Sequence, residues 1–222
     1  MSNKTKNEAP IIADEVLSQS EALIIKYKKP IVAAIAAIAI ILVAAISYNN
    51  YVVEPKEKEA SEAIFAAEAL FAAQNFEQAL NGDGVNLGFI EIADEYSGTA
   101  AGNIANAYAG MALAQLARYE EAIDYLKAFD GNDKMVAPSV YGTLGSCYAQ
   151  LGDTKASIKN YLKAAEKANN VTISPYYLLQ AGIMYETLGE KEDAAELYEQ
   201  IKNKYAASPY SMDIEKYINR VK

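Results

Sequence analysis

The sequence predicts an all-α protein: a single transmembrane helix followed by an α-solenoid of antiparallel helix pairs. Three observations lead there. The stretch from Pro30 to Val53, 24 residues, carries no charge. The remainder is rich in Ala, Leu, Glu, Lys and Tyr, a helix-forming composition broken by turn signals. A pattern of apolar and small residues then recurs every 35 to 37 residues.

The apolar run comes first. Ile31 to Tyr48 is 18 residues with only Ser47 outside the hydrophobic set. At about 1.5 Å per residue a helix of that length matches a bilayer's hydrocarbon core. Pro30 stands where the first turn of such a helix tolerates it. Tyr48 and Tyr51 fall at the far end, the place of an interfacial aromatic belt. A buried core helix, which can also be apolar on all faces, would usually be shorter or interrupted. A cleaved signal peptide competes, with small residues at Ala44 and Ala45. Its leading segment would be 29 residues and partly acidic, with Asp14, Glu15 and Glu21. Lipid attachment near the N-terminus has no cysteine to use, because the lone one is Cys147.

Residues 1–29 form a tail that is polar through Pro10. Residues 11–28 then have the spacing of an amphipathic helix, with Ile12, Val16, Leu23 and Tyr27 apolar. The tail holds Lys4, Lys6, Lys26, Lys28 and Lys29, against Lys56 and Lys58 on the other flank. Positive-inside bias therefore expects a cytoplasmic N-terminus and a C-terminal domain on the periplasmic side of a cell inner membrane. Residues 30–53 would be the span and its interface, and 54–62 an acidic linker or helix start.

Composition narrows the chemistry. The chain has no His and one Cys, so triads, Cys–His pairs, His-ligated zinc and disulfides within the chain are excluded. Net charge is −9, which argues against binding nucleic acid through its phosphates. Mean hydropathy of −0.06 averages two unlike parts. Without residues 31–48 the remainder falls to about −0.3.

The repeat occupies about 63–208. Tyr141, Leu144, Gly145 and Tyr148, then Ser157, Tyr161 and Ala164, form one unit. Leu178, Ala181, Gly182 and Tyr185, then Ala194, Tyr198 and Ile201, form the next. Asn106, Ala109, Gly110 and Leu113, then Ala122, Leu126 and Phe129, form the one before. The small residues let a neighbouring helix approach closely. Leu151-Gly152-Asp153 and Leu188-Gly189-Glu190 put a Gly just past a helix end. Ser174-Pro175 and Ser208-Pro209 read as an N-cap followed by Pro at the first helical position. A degenerate unit at about 63–100 contains Ala67, Leu70 and Ala79, with Gln74-Asn75-Phe76-Glu77 parallel to Ala117-Arg118-Tyr119-Glu120. Its spacing of 43 to the next unit implies a flexible insert at Asn81-Gly82-Asp83-Gly84. The other units span 103–136, 138–171 and 175–208. Residues 209–222 supply a capping helix whose stripe is Ile214, Tyr217, Ile218 and Val221.

These residues resemble the tetratricopeptide repeat (TPR), whose pattern is a large residue, Leu-Gly, Tyr, then Ala, a large aromatic and Ala over about 34 residues. The resemblance implies a TPR-type α-solenoid that binds protein partners and is not an enzyme. In that fold the first helix of each unit lines a concave groove. The peptide groove that the resemblance implies here is then Ile104, Ala107 and Met111, Ser139, Gly142 and Ser146, and Tyr176, Leu179 and Ile183. These are small or apolar, which suits apolar segments of a partner. The Lys/Asn/Arg clamp by which some members hold a carboxylate is absent. Tyr148, Tyr161, Tyr185 and Tyr198 take positions that pack helix against helix.

No catalytic or metal motif emerges, and no cofactor is expected. Gly82-Asp83-Gly84 has Val85 where a calcium loop needs an oxygen ligand. Asp130-Gly131-Asn132-Asp133 reads as a helix-ending turn. Glu190, Glu192, Asp193, Glu196 and Glu199 fall on a solvated face, and Cys147 is a packing residue. The whole chain resembles the membrane-anchored, YfgM-like ancillary subunits of the SecYEG translocon. The resemblance implies translocon association or a chaperone-like role toward nascent or exported polypeptides. A scaffold for an envelope or division complex is the alternative.

Overall fold

The computed structural model describes the backbone of residues 9–222 and side chains from Tyr27 onward. The polar tail with Lys4 and Lys6, and the side chains of Ile12, Val16 and Leu23, lie outside the described residues. All regular structure among those residues is helical. The chain divides into two compact units, Met1–Pro55 and Lys56–Lys222.

The first unit is helix α1, Ala9–Tyr48, followed by a π-helical turn, Asn49–Val53. Its apolar stretch reaches a mean hydropathy of 2.8, and none of it is buried. Ile35, Ile38, Ile40, Ile41 and Val43, which together face all sides of the helix, are exposed. The helix is therefore long and apolar enough to cross a membrane, and it lacks the buried face of a core helix. One expectation is corrected here: Pro30 is inside the helix, not at its start. Having no N–H, Pro30 leaves the carbonyl four residues earlier without a helical donor.

The second unit stacks helix pairs. They are α2 (Glu54–Ala72) with α3 (Phe76–Asn81), α5 (Ala100–Gln115) with α6 (Tyr119–Ala128), α7 (Val136–Gln150) with α8 (Thr154–Ala168), and α9 (Ser174–Leu188) with α10 (Lys191–Lys204). Four pairs share one turn. The N–H groups of Asn75, Arg118, Asp153 and Glu190 donate to the carbonyls of Leu70, Leu113, Tyr148 and Tyr185 at 2.9–3.0 Å. Each turn has one residue at positive φ: Gln74, Ala117, Gly152 and Gly189. This is the Schellman closure, and it requires the left-handed residue. Two of the four are not glycine. Ala117→Gly should therefore raise stability by about 1 kcal/mol, and Gly152→Ala should lower it by about as much, read as shifts of the urea midpoint.

Within each of the last three pairs one small residue on the first helix receives a large one from the second. A Cβ on Gly110 would lie 2.5 Å from Leu126 Cγ, one on Gly145 2.7 Å from Tyr161, and one on Gly182 2.4 Å from Tyr198. Ala122, Ser157 and Ala194 are wholly buried beside these contacts. The Ser157 hydroxyl has no hydrogen-bond partner among the described residues, where the other pairs carry a methyl group.

The insert between the first and second pairs is folded, which corrects the expectation of a flexible segment. The Asp83 carboxylate accepts from the backbone N–H of Val85 (2.9 Å) and Asn86 (2.7 Å), and burial does little to oppose the fall of its pKa to about 2. Helix α4 (Phe89–Glu95) follows and buries Phe89 and Ile92 completely. Phe89 stacks on Tyr108 with centroids 5.1 Å apart, and Phe71 meets both rings edge-on. Those aromatic contacts explain why the extra residues are ordered. Glu57 of the acidic stretch accepts from the N–H of Ala100 (2.6 Å) and Ala101 (3.0 Å), so its charge faces the N-terminus of α5.

The cap signals split. Ser208 caps α11 (Pro209–Met212) as expected, accepting from the Tyr210 N–H. Ser174 does not cap α9. Its buried hydroxyl donates to the Ala165 carbonyl at 2.8 Å, tying α9 to α8, while the Asn170 side chain accepts from Thr172 and Ile173. The C-terminal cap is two helices, α11 and α12 (Ile214–Val221), broken at Asp213. Ile214, Ile218 and Val221 are buried against α10, and Tyr217 is half-buried there.

Candidate functional site

The nine groove positions divide by burial. Ala107, Gly142 and Leu179 are buried; Ile104, Met111, Ser139 and Ile183 are half-buried; Ser146 and Tyr176 are exposed. Three of them, Gly142, Ser146 and Tyr176, line one cavity of about 310 Å³. Ser139 supports it from beside, since its hydroxyl meets that of Tyr177. Ile104, Ala107, Met111, Leu179 and Ile183 do not line this cavity.

The helices explain the gathering. Thr143, Ser146 and Gln150 fall on one face of α7 at helical spacing, and Gln115 closes the wall from the end of α5. Tyr119 enters from α6, Tyr161 from α8, and Tyr176 and Tyr177 from the start of α9. Gly142 is indispensable to this arrangement, because a Cβ there would lie 2.2 Å from the Tyr177 ring. The Tyr161 and Tyr177 rings stack at 6.3 Å, and Tyr176 meets Tyr177 edge-on at 5.1 Å and Tyr210 at 5.7 Å.

Electrostatically the cavity is neutral, because no charged residue lines it. Burial pushes the Tyr161 hydroxyl up to about 12, against the opposing effect of its hydrogen bond to Ser146. Burial also raises Tyr177. Both phenols remain protonated at neutral pH. The surface therefore offers flat aromatic faces together with hydroxyl and amide groups that donate and accept. Such a surface suits an extended polypeptide: rings stack on side chains while the amides satisfy its backbone.

That is more polar and more aromatic than the small or apolar groove expected from sequence. Tyr119 and Tyr161 come from second helices, which a groove lined by the first helix of each unit does not include. The Tyr176-Tyr177 pair directly after Pro175, and the Thr143, Ser146 and Gln150 spacing, were the available signals.

The remaining candidates are structural. Tyr161 and Tyr198 are buried between helices; Tyr148 and Tyr185 are half-buried. Cys147 is fully buried, and desolvation pushes its thiol up to about 11, which leaves almost no thiolate nucleophile at neutral pH. Glu190, Glu192, Asp193 and Glu196 are exposed and Glu199 half-buried. Among the described residues no three carboxylates or thiols gather as a metal site would need. Asp130 to Asp133 end α6 and begin α7: Asp133 accepts from Met135 and Val136, and Asn103 bonds the Asp130 backbone at both N–H and carbonyl.

Comparison with known proteins agrees with this geometry. Residues 138–169 match the tetratricopeptide repeat family model. No curated protein sequence matches the chain. Among solved structures, the crystal structure of MamA protein superposes with a TM-score of 0.52 at 16% identity, covering 73% of this chain and 89% of that one. At that identity the likeness is one of fold. The fold is thus an all-α solenoid of the tetratricopeptide-repeat type, with one such repeat matched at residues 138–169.

Proposed function

We propose that this is a membrane-anchored TPR protein whose tyrosine-lined groove holds extended segments of other proteins on the periplasmic side of the inner membrane. The observation that carries the reading is the neutral, concave cavity of Tyr119, Tyr161, Tyr176 and Tyr177 with Ser146 and Gln150. It offers stacking and backbone hydrogen bonds with no demand for a particular charge, as suits a binder of varied chains. The uncharged run at 31–48 supports anchoring, and the lysine excess before it supports a cytoplasmic N-terminus.

The finer assignment follows from the architectural resemblance to YfgM-like ancillary translocon subunits. A domain so placed would receive nascent or exported polypeptides beside SecYEG and act in a chaperone-like manner. The alternative is a scaffold for an envelope or division complex. Photocrosslinkers at Met111, Ser146 and Tyr176 in native membranes distinguish them. The expected products join the protein to newly exported chains or translocon subunits and disappear when secretion is blocked. A stoichiometric adduct unaffected by secretion would favour the scaffold. Absence of any adduct from Ser146 and Tyr176 would end the groove reading.

A further inference from the structure

Different residues of the same repeats build a second cavity of about 330 Å³, opposite in chemical character. Its rim carries Lys127 from α6 with Lys159 and Lys163 from α8. Its floor is apolar: Leu126 and Leu144 are buried there, and Phe129 is half-buried. Lys163 Nζ sits 4.0 Å from the centroid of Tyr141, and Lys127 Nζ lies 5.6 Å from that of Tyr148. The aromatic walls thus hold two ammonium groups over the cavity without neutralising them.

These lysines are unusual for this chain. The protein carries 29 acidic residues against 20 basic ones, yet along α8 Lys155, Lys159, Lys163 and Lys167 recur every fourth residue and Glu166 is the only acid. Among the described residues, none of Lys127, Lys159 and Lys163 has a carboxylate within 4.0 Å. Asp124 acts on Lys127 from a distance along α6 and does not line the cavity. Four other cations among the described residues do have a carboxylate partner, among them Lys202 with Glu215 at 2.6 Å and Arg220 with Glu186 at 2.7 Å.

We propose that this cleft between α6, α7 and α8 is a second protein-binding surface, and that it takes an acidic peptide segment bearing an apolar side chain. The carboxylates meet Lys127, Lys159 and Lys163, and the apolar group enters over Leu126, Phe129 and Leu144. Charge complementarity selects an acidic partner, and the depth of the apolar floor selects a peptide over an anionic bilayer. A flat headgroup surface could reach the rim but could not fill the floor.

The test uses the full chain in neutral detergent and a fluorescein-labelled ten-residue peptide of Asp and Glu with one Leu and one Phe. Anisotropy should report saturable binding that weakens with added salt. A Lys127→Glu/Lys159→Glu/Lys163→Glu variant should lose at least about tenfold in affinity, as three charge reversals at a rim predict. Lys56→Glu/Lys191→Glu/Lys204→Glu makes the same change in net charge elsewhere and should bind as the wild type does. A peptide of Asp and Glu alone should bind several-fold more weakly, by about the value of one buried apolar side chain at most. Unchanged thermal melting of both variants establishes that they fold. Equal loss in the two triple variants would overturn the proposal, as would equal binding of a Lys-rich peptide. Binding to phosphatidylglycerol vesicles without binding to the peptide would also overturn it and assign the cleft to lipid. Self-association that the cleft variant abolishes, with no peptide binding, would overturn it in favour of a second copy.

Discussion

Tyr198→Ala should destabilise the repeat domain by about 3–5 kcal/mol, the loss expected for truncating a large buried aromatic residue. Tyr198 is wholly buried and lies on Gly182, with the Tyr217 ring 5.5 Å away. Its hydroxyl donates a hydrogen bond to Glu186, and Arg220 grips the same carboxylate through two bonds of 2.7 Å. One side chain therefore joins α9, α10 and α12. Tyr198→Phe keeps the packing and removes only the hydroxyl, so it should cost about 1 kcal/mol. Urea denaturation followed by circular dichroism separates the two. A loss from Tyr198→Ala no larger than from Tyr198→Phe would show that the cap does not depend on this contact.

The same cluster gives the domain an acid limit. Burial pushes the Glu186 carboxyl up, but the hydrogen bonds from Arg220 and Tyr198 outweigh it and hold the group below its ordinary value of 4.5. A carboxyl depressed on folding stabilises the fold fully above its unfolded pKa, and that contribution is lost as pH falls through the lower folded value. Stability should therefore decline below about pH 4.5, and Glu186→Gln should flatten that part of the profile.

Gly110→Val is the second large effect, expected at about 2–3 kcal/mol from overpacking. Its Cβ would meet Leu126 Cγ at 2.5 Å and the backbone oxygen of Ala122 at 2.9 Å. A side chain can rotate away, but a backbone carbonyl within α6 cannot move without shifting the helix. At Gly145 the three nearest atoms all belong to the Tyr161 ring, so the same substitution should cost less there. Combining Gly110→Ala with Leu126→Ala should cost less than the sum of the two, since each makes room for the other. Strict additivity would show that Gly110 and Leu126 do not share the contact.

Much of this architecture was legible in the chain because it is local. Ile31 to Tyr48 announces a membrane-length helix through composition alone. Gly152 and Gly189 mark turns because only the left-handed conformation closes them. The recurrence of Gly110, Gly145 and Gly182 ahead of Leu126, Tyr161 and Tyr198 exposes the contact that builds each pair. Positions i and i+4 on one helix, or two helices joined by three residues, are fixed by sequence spacing.

Three features were not legible, for a shared reason. Ser174 looked like a cap but bonds the Ala165 carbonyl of the preceding helix. The insert at Asn81–Gly84 looked slack but leads to Phe89, held by Phe71 and Tyr108 from two other helices. The groove looked apolar until Tyr119 and Tyr161 entered it from second helices. Each depends on groups brought together from different helices, which the periodicity within one helix does not encode. The sequence by itself determined an all-α chain, its apolar helix and the period of its repeat, because 3.6-residue periodicity and turn closure are local. The tertiary structure decided which faces remain open and what lines them. Stacking one helix pair on the next places a neutral tyrosine cavity and a lysine-rimmed cleft on different residues of the same helices.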